Sequence, residues 1–209
     1  MHPNPVYRHA TEQENLDFAR DVGFGVLAVN GSEGPLISHV PFLLSTDGTG
    51  CEFHLVRSNP IARALHEAQP VRIAVNGPHS YVSPDWYGID DQVPTWNYVA
   101  VHLSGTAQQA PDDVLHDLLD RLSAQFEQRL LPKQPWVSAK MSEGVMARMM
   151  RQIVPFTMQV AQIEGTWKLN QNKTDDVRHS AADHIDGYGM GSEVRLLSAM
   201  MRNPPQSPE

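Results

Sequence analysis

The sequence predicts a mainly β fold with α additions, an antiparallel barrel or sandwich carrying peripheral helices. Short apolar runs with a period of two follow one another in quick succession between Gly, Pro, Asn and Asp turns. Helical spacing appears only in isolated stretches inserted among them, which argues against a doubly wound sheet. At 209 residues with Cys51 as its only cysteine, the chain is long enough to bury a core without disulfide or structural metal.

Taken in order, Thr11 and Glu14 form a capping-box pattern, and Leu16, Phe18, Ala19 and Val22 follow at roughly helical spacing, predicting a helix over 12–21. The period then changes. Gly25–Val29 and Leu36–Leu44 read as two strands around the turn Asn30-Gly31-Ser32-Glu33-Gly34, and Glu52–Val56 reads as a third. Asn59-Pro60 opens a helix with Ile61, Ala62, Leu65 and Ala68 as its apolar positions, and Val71–Asn76 is the next strand. Residues 77–96 lack clear periodicity and read as a long aromatic-rich loop. Residues 97–107 alternate as a half-polar strand with Asn97 on its apolar face. Pro111-Asp112-Asp113 begins an amphipathic helix with a stripe of Val114, Leu115, Leu118, Leu119, Leu122 and Phe126. A helix over 143–151 and a last long strand from Phe156 lead to Lys168–Asn172, after which weak helices and a frayed Pro-Ser tail are expected. The expected organisation is a barrel domain over 1–172 with inserted helices, and a C-terminal helical extension and tail over 173–209.

Charge and leader signals narrow the function classes. With 24 acidic and 16 basic residues the formal net charge is −8, the wrong sign for a duplex-binding surface. The N-terminus, Met1-His2-Pro3-Asn4-Pro5, lacks a basic segment leading into an apolar run, and no stretch approaches the roughly 20 apolar residues of a membrane span. The expected location is the cytoplasm, away from any membrane. Dinucleotide, phosphate-loop, zincin and α/β-hydrolase signatures are missing. The histidines at 39, 54, 66, 79 and 102 fall on separate elements without a close ligand pair, so no metal site is expected.

Three segments carry chemistry. Arg57-Ser58-Asn59-Pro60 puts a guanidinium, a hydroxyl and an amide where a strand gives way to a helix, an arrangement suited to a phosphate or, equally, to plain helix capping. The stretches Pro78–Tyr87, with Tyr81 and Ser83, and Val93–Tyr98, with Trp96 and Asn97, concentrate rings, amides and hydroxyls. They can stack on a planar heteroaromatic ligand or merely seal a barrel end. Gly165–Asn172 packs Lys168, Asn170, Gln171 and Asn172 beside Trp167; a surface turn explains the asparagines but not a lysine next to a tryptophan.

With Pro41-Phe42-Leu43-Leu44 ahead of them, these segments occur in the order found in the PaiB family of FMN-binding negative transcriptional regulators, which the chain resembles over nearly its whole length. Tyr-Val-Ser-Pro-x-Trp-Tyr, Pro-Thr-Trp-Asn-Tyr and Trp-Lys-Leu-x-Gln-Asn are specific together. The family usually has serine where Asn170 stands, a change that keeps hydrogen-bonding capacity. The resemblance implies an antiparallel, Greek-key, FMN-binding-type split β-barrel related to pyridoxamine-phosphate oxidases and flavin reductases. It also implies a homodimer with FMN sites at the subunit interface.

On that basis Arg57, Ser58 and Lys168 are expected to hold the flavin phosphate, with Asn59 beside them, while Trp96, Asn97 and His39 approach the ring. Tyr81, Ser83, Asn170, Gln171 and Asn172 complete the expected cofactor site. The expected function is that of an FMN-binding regulator acting without strong direct DNA contacts. An FMN-dependent oxidoreductase is the alternative, with no catalytic residue assigned because such chemistry belongs largely to the cofactor. A weaker alternative is haem binding through His39, His79 or His102.

Overall fold

A computed structural model describes residues 1–206; Ser207–Glu209, the end of the expected tail, lie outside the described residues. The helix α1 spans Glu12–Val22, and the strands are β1 Phe24–Gly31, β2 Gly34–Leu44, β3 Gly50–Val56, β4 Gln69–Val82, β5 Thr95–Gln109, β6 Ile153–Lys168 and β7 Gly191–Ser192. Between and after them lie α2 Pro60–Ala64, α3 Leu115–Glu127, α4 Val145–Met150, α5 Asp175–Tyr188 and α6 Val194–Arg202. The sheet order is β1-β2-β3-β6-β5-β4-β7, and an additional β1–β4 pairing closes the first six strands into a ring. The pairings β1–β2, β1–β4, β2–β3, β3–β6 and β4–β7 are antiparallel. This is the mainly β barrel with peripheral helices that the alternating pattern predicts.

The chain forms two compact units, one from Ala19–Ala74 with Leu103–Gln162, the other from Met1–Phe18, Val75–His102 and the residues from Ile163 onward. The first, the barrel unit, is built on period-two burial, with β3 alternating buried Cys51, Phe53 and Leu55 against half-buried Glu52 and His54. Phe53 and Phe156 face each other in register across β3 and β6 and stack at 5.5 Å. Each such ring contributes about 1.5–3 kcal/mol by leaving water. On α3, Leu115, Leu118 and Leu122 are buried, and Arg121 donates to both carboxylate oxygens of Glu52 at 2.7 and 2.9 Å. The second, helical unit packs Val82, Tyr87, Val99, Trp167 and Leu169 against Ala181, Ala182, Ile185, Leu197 and Met201.

The structure corrects four readings. The helix after Pro60 ends at Ala64 and excludes Ala68, because the Gln69 amide donates to the Ala64 carbonyl and Pro70 holds the preceding residue extended. Residues 77–82 belong to β4, not to a loop, and the loop proper begins after the short helical turn Pro84–Tyr87. On one edge of β4, Pro78 falls in the gap between the β1 ladder, which stops at Ala74, and the β7 ladder, which starts at His79, so neither of those strands calls on its missing N–H. The last strand runs on through Lys168. The C-terminal helices are firmly packed: Arg178 Nε donates to the Met201 carbonyl at 2.7 Å, Ser198 Oγ to that of Ala182 at 2.7 Å, and even Pro204 is buried.

Candidate functional site

In the helical unit, β6 delivers Lys168 and then turns sharply. Leu169 is buried, Asn170 adopts φ 63°, and the Lys173 N–H closes the turn on the Asn170 carbonyl at 2.9 Å. Asparagine enters this left-handed region more readily than most residues. Gln171 braces the turn, its Oε1 accepting from Leu169 N–H at 2.8 Å and its amide donating to the Trp167 carbonyl. Upstream, Gly165 permits the close passage of Asn15, whose Oδ1 accepts from Trp167 Nε1 at 2.9 Å; a Cβ at Gly165 would sit 1.8 Å from that oxygen.

The result is a cleft of about 190 Å³ lined by Tyr7, Tyr87, Gln92, Val93, Thr95, Lys168, Asn170, Asn172 and Lys173. The Lys168 ammonium donates to Thr95 Oγ1 and lies 5.8 Å from the centre of the Tyr7 ring. Lys173 donates to Gln92 Oε1 and lies 5.2 Å from the centre of the Tyr87 ring. The two phenols donate inward, Tyr7 to Asn172 Oδ1 at 3.2 Å and Tyr87 to Asn170 Oδ1 at 3.4 Å. Asn170 Nδ2 is buried without a hydrogen-bond partner. Burial lowers the Lys168 pKa from its ordinary value and raises that of Tyr7; it also raises that of Tyr87, against the hydrogen bond to Asn170. His2 is lowered by burial and then by the charges of Lys168 and Arg8, so the field here is positive although the chain as a whole is acidic.

On β5, alternation sends Trp96 and Asn97 to opposite faces. Trp96 is 48% exposed, 6.3 Å edge-on from Tyr81 and 6.2 Å from His79. Asn97 is fully buried, its amide donating to Met201 Sδ on α6 at 3.3 Å while its Oδ1 has no partner. Ser83 precedes the turn Pro84–Tyr87 but makes no side-chain cap bond.

In the barrel unit, Asn59 is the α2 cap, with Oδ1 accepting from Ile61 N–H at 2.9 Å and Nδ2 donating to Ser38 Oγ at 3.2 Å, so its amide is committed. Arg57 donates to the carbonyls of Arg151 and Ile153 at 3.3 Å each and stands 3.8 Å from Asp112. Ser58 is exposed, and Arg57, Arg63 and His66 surround a cleft of about 350 Å³ that Ala62, Gln109 and Val154 complete. His39 is exposed on β2 and stacks on Phe24 at 6.3 Å.

The predicted residues therefore fall into distinct groups. Lys168, Asn170 and Asn172 meet at one cleft over the Gln171 brace, Trp96 and Tyr81 share an aromatic face, and Arg57, Ser58 and Asn59 share a helix entry. Tyr7, Tyr87, Thr95 and Lys173 also line the first cleft and were not among the predicted residues. Lys173 and Thr95 directly adjoin motif residues, whereas Tyr7 carries no sequence signal because its role arises from a contact 165 residues away.

A family model described as "Putative FMN-binding domain" matches residues 1–162. Protease synthase and sporulation protein PAI 2 of Bacillus subtilis is 29% identical over 174 residues, covering 82% of this chain and 83% of that protein. Among solved structures, the FAD and haem binding protein of Mycobacterium smegmatis superposes with a TM-score of 0.54 at 16% identity, over 76% of this chain and 71% of that one. The flavocytochrome Anf3 of Azotobacter vinelandii does so with a TM-score of 0.51 at 16% identity, over 76% and 68%. At these identities the likeness is one of fold, the split β-barrel.

Proposed function

The chain belongs to the FMN-binding domain family, and from that premise we propose that it works as an FMN-binding regulator, with Arg57 and Ser58 anchoring the flavin phosphate and Trp96 and Tyr81 contacting the ring system. The observation that carries this reading is the cleft beside α2. Arg57, Arg63 and His66 offer cationic donors next to the apolar Ala62 and Val154, a donor set that fits a phosphate attached to an organic group. The exposed Trp96, with Tyr81 and His79 against it, offers a stacking surface for a planar heteroaromatic system. Bound FMN supplies redox chemistry that no side chain can; the protein's own residues bind, orient and shield it.

The test is the visible spectrum of the purified protein and its titration with FMN. A flavin band, or quenching of added FMN, is expected; neither appearing would overturn the reading. Arg57→Met is expected to weaken FMN by about tenfold and riboflavin far less, because a hydrogen bond to a charged group contributes about 1.5–3 kcal/mol.

Two finer points belong to the same proposal. The flavin site is shared between the two chains of a homodimer, which is consistent with the exposed apolar Phe24 and Ile37 on β1 and β2. Light scattering coupled to gel filtration reads the dimer, and a monomer at micromolar concentration would remove this part. Regulation here proceeds by an indirect route, since a net charge of −8 opposes phosphate-backbone contacts; the Bacillus subtilis relative is named a protease synthase and sporulation protein.

A second reading, an FMN-dependent oxidoreductase, draws support from the donor-rich cleft around Lys168, which offers room for a small substrate. Steady-state NADH and NADPH oxidation with FMN present separates the two, because turnover no faster than free flavin leaves a binding role.

A further inference from the structure

We infer that the cleft between Lys168 and Lys173 is a binding site for a small oxyanion, the carboxylate or phosphate group of a second ligand distinct from the flavin. Three observations converge on it. Its described lining holds two ammonium groups and five hydroxyl or amide side chains besides Asn170, and no carboxylate. Among the described residues, the one polar atom of the lining that is buried without a partner, Asn170 Nδ2, is a donor, and Asn170 is only 2% exposed. An N–H donor left unpaired in such a place costs about 1–3 kcal/mol until an acceptor arrives. The phenols of Tyr7 and Tyr87, by donating to Asn172 and Asn170, occupy the amide oxygens, and so orient the Asn170 amide with its nitrogen as the uncommitted end.

Size selects the ligand class. At about 190 Å³ the cleft lies below the roughly 300–1,000 Å³ of pockets that enclose drug-sized ligands. It holds the charged end of a small molecule and not a flavin. Each ammonium sits over a tyrosine ring and is bonded to a neutral oxygen, Thr95 Oγ1 or Gln92 Oε1, that an incoming anion can replace or share. The inference deepens the FMN reading by naming a second ligand, but the anion binding itself does not require flavin.

The experiment is isothermal titration of the full-length protein with inorganic phosphate and with acetate, flavin-free, riboflavin-loaded and FMN-loaded, with glycerol as the neutral control. Saturable binding of at least one anion and none of glycerol is expected, persisting in the FMN-loaded protein. Lys168→Met and Lys173→Met are each expected to weaken it by about tenfold or more, from the loss of one charge-assisted bond. Thermal midpoints check that the variants are folded, and either lysine variant alone suffices if the other does not fold. No saturable anion binding, or binding undiminished in the folded variants, overturns the inference. Anion binding abolished by FMN but not by riboflavin also overturns it, because the cleft then takes the flavin's own phosphate. Failure to bind FMN with anion binding intact removes the cofactor reading and leaves this one standing.

Discussion

Lys168 keeps its ammonium where burial opposes the charge, so its pKa lies below the ordinary lysine value of 10.5. The sign follows directly: an ammonium with a lowered pKa loses its proton at a lower pH than an exposed lysine does. Anion binding at the cleft is therefore expected to be full near neutrality and to decline on the alkaline side before 10.5 is reached. Lys168→Arg, whose guanidinium stays charged above about pH 12, is expected to move that decline upward; calorimetry across pH 7–11 reads it, and identical profiles would contradict the assignment. At Gly165 a methyl group would collide with Asn15 Oδ1 and break its bond to Trp167, leaving two buried polar groups unpaired. Gly165→Ala, stabilising by up to about 1 kcal/mol at an unconstrained site, is expected here to destabilise by about 2–4 kcal/mol in urea unfolding. The sequence marks Lys168, Asn170 and Asn172 as candidate site residues, but not the orphan Asn170 nitrogen or the Asn15–Trp167 bond, because these depend on what folds over them.

Elements whose signals are local were legible. The capping box at the start of α1 forms as the pattern predicts, with Glu14 N–H donating to Thr11 Oγ1 at 3.1 Å and Thr11 N–H to Glu14 Oε2 at 2.7 Å. Thr11→Ala is expected to cost about 1 kcal/mol. The distal half of β4 was not legible, because Gly77-Pro78 punctuates an apolar run and its partner strand β7 is two residues long and far along the chain. The helix α5 was underestimated because its buried stripe is Arg178, Ala181, Ala182 and Ile185, small side chains and one cation in place of large apolar ones. On α6, Leu197 is fully buried against that stripe, and Leu197→Ala is expected to cost about 2–5 kcal/mol, read as a lowered melting temperature.

At the scale of the whole molecule, alternation was enough for a mainly β barrel, and the three aromatic and lysine motifs were enough for the family. The division into two units was not readable, because each is assembled from separated segments and no composition change marks their borders. The overall charge carries a prediction of its own. With a formal net charge of −8, sequence-specific duplex binding is expected to be absent in a low-salt mobility-shift assay, and a tight, specific shift would refute the indirect route.

The helical unit is tied together by bonds between residues far apart in the chain: His2 to Thr166, Asn15 to Trp167 and Asn97 to Met201, separated by 164, 152 and 104 residues. Contacts of such long range form late and slowly. During synthesis, Tyr7, Tyr87 and Thr95 leave the ribosome well before Lys168, Asn170 and Lys173 exist to meet them. The cleft thus comes into being only after Lys173 has been made, and a nascent chain released before Lys168 cannot form it.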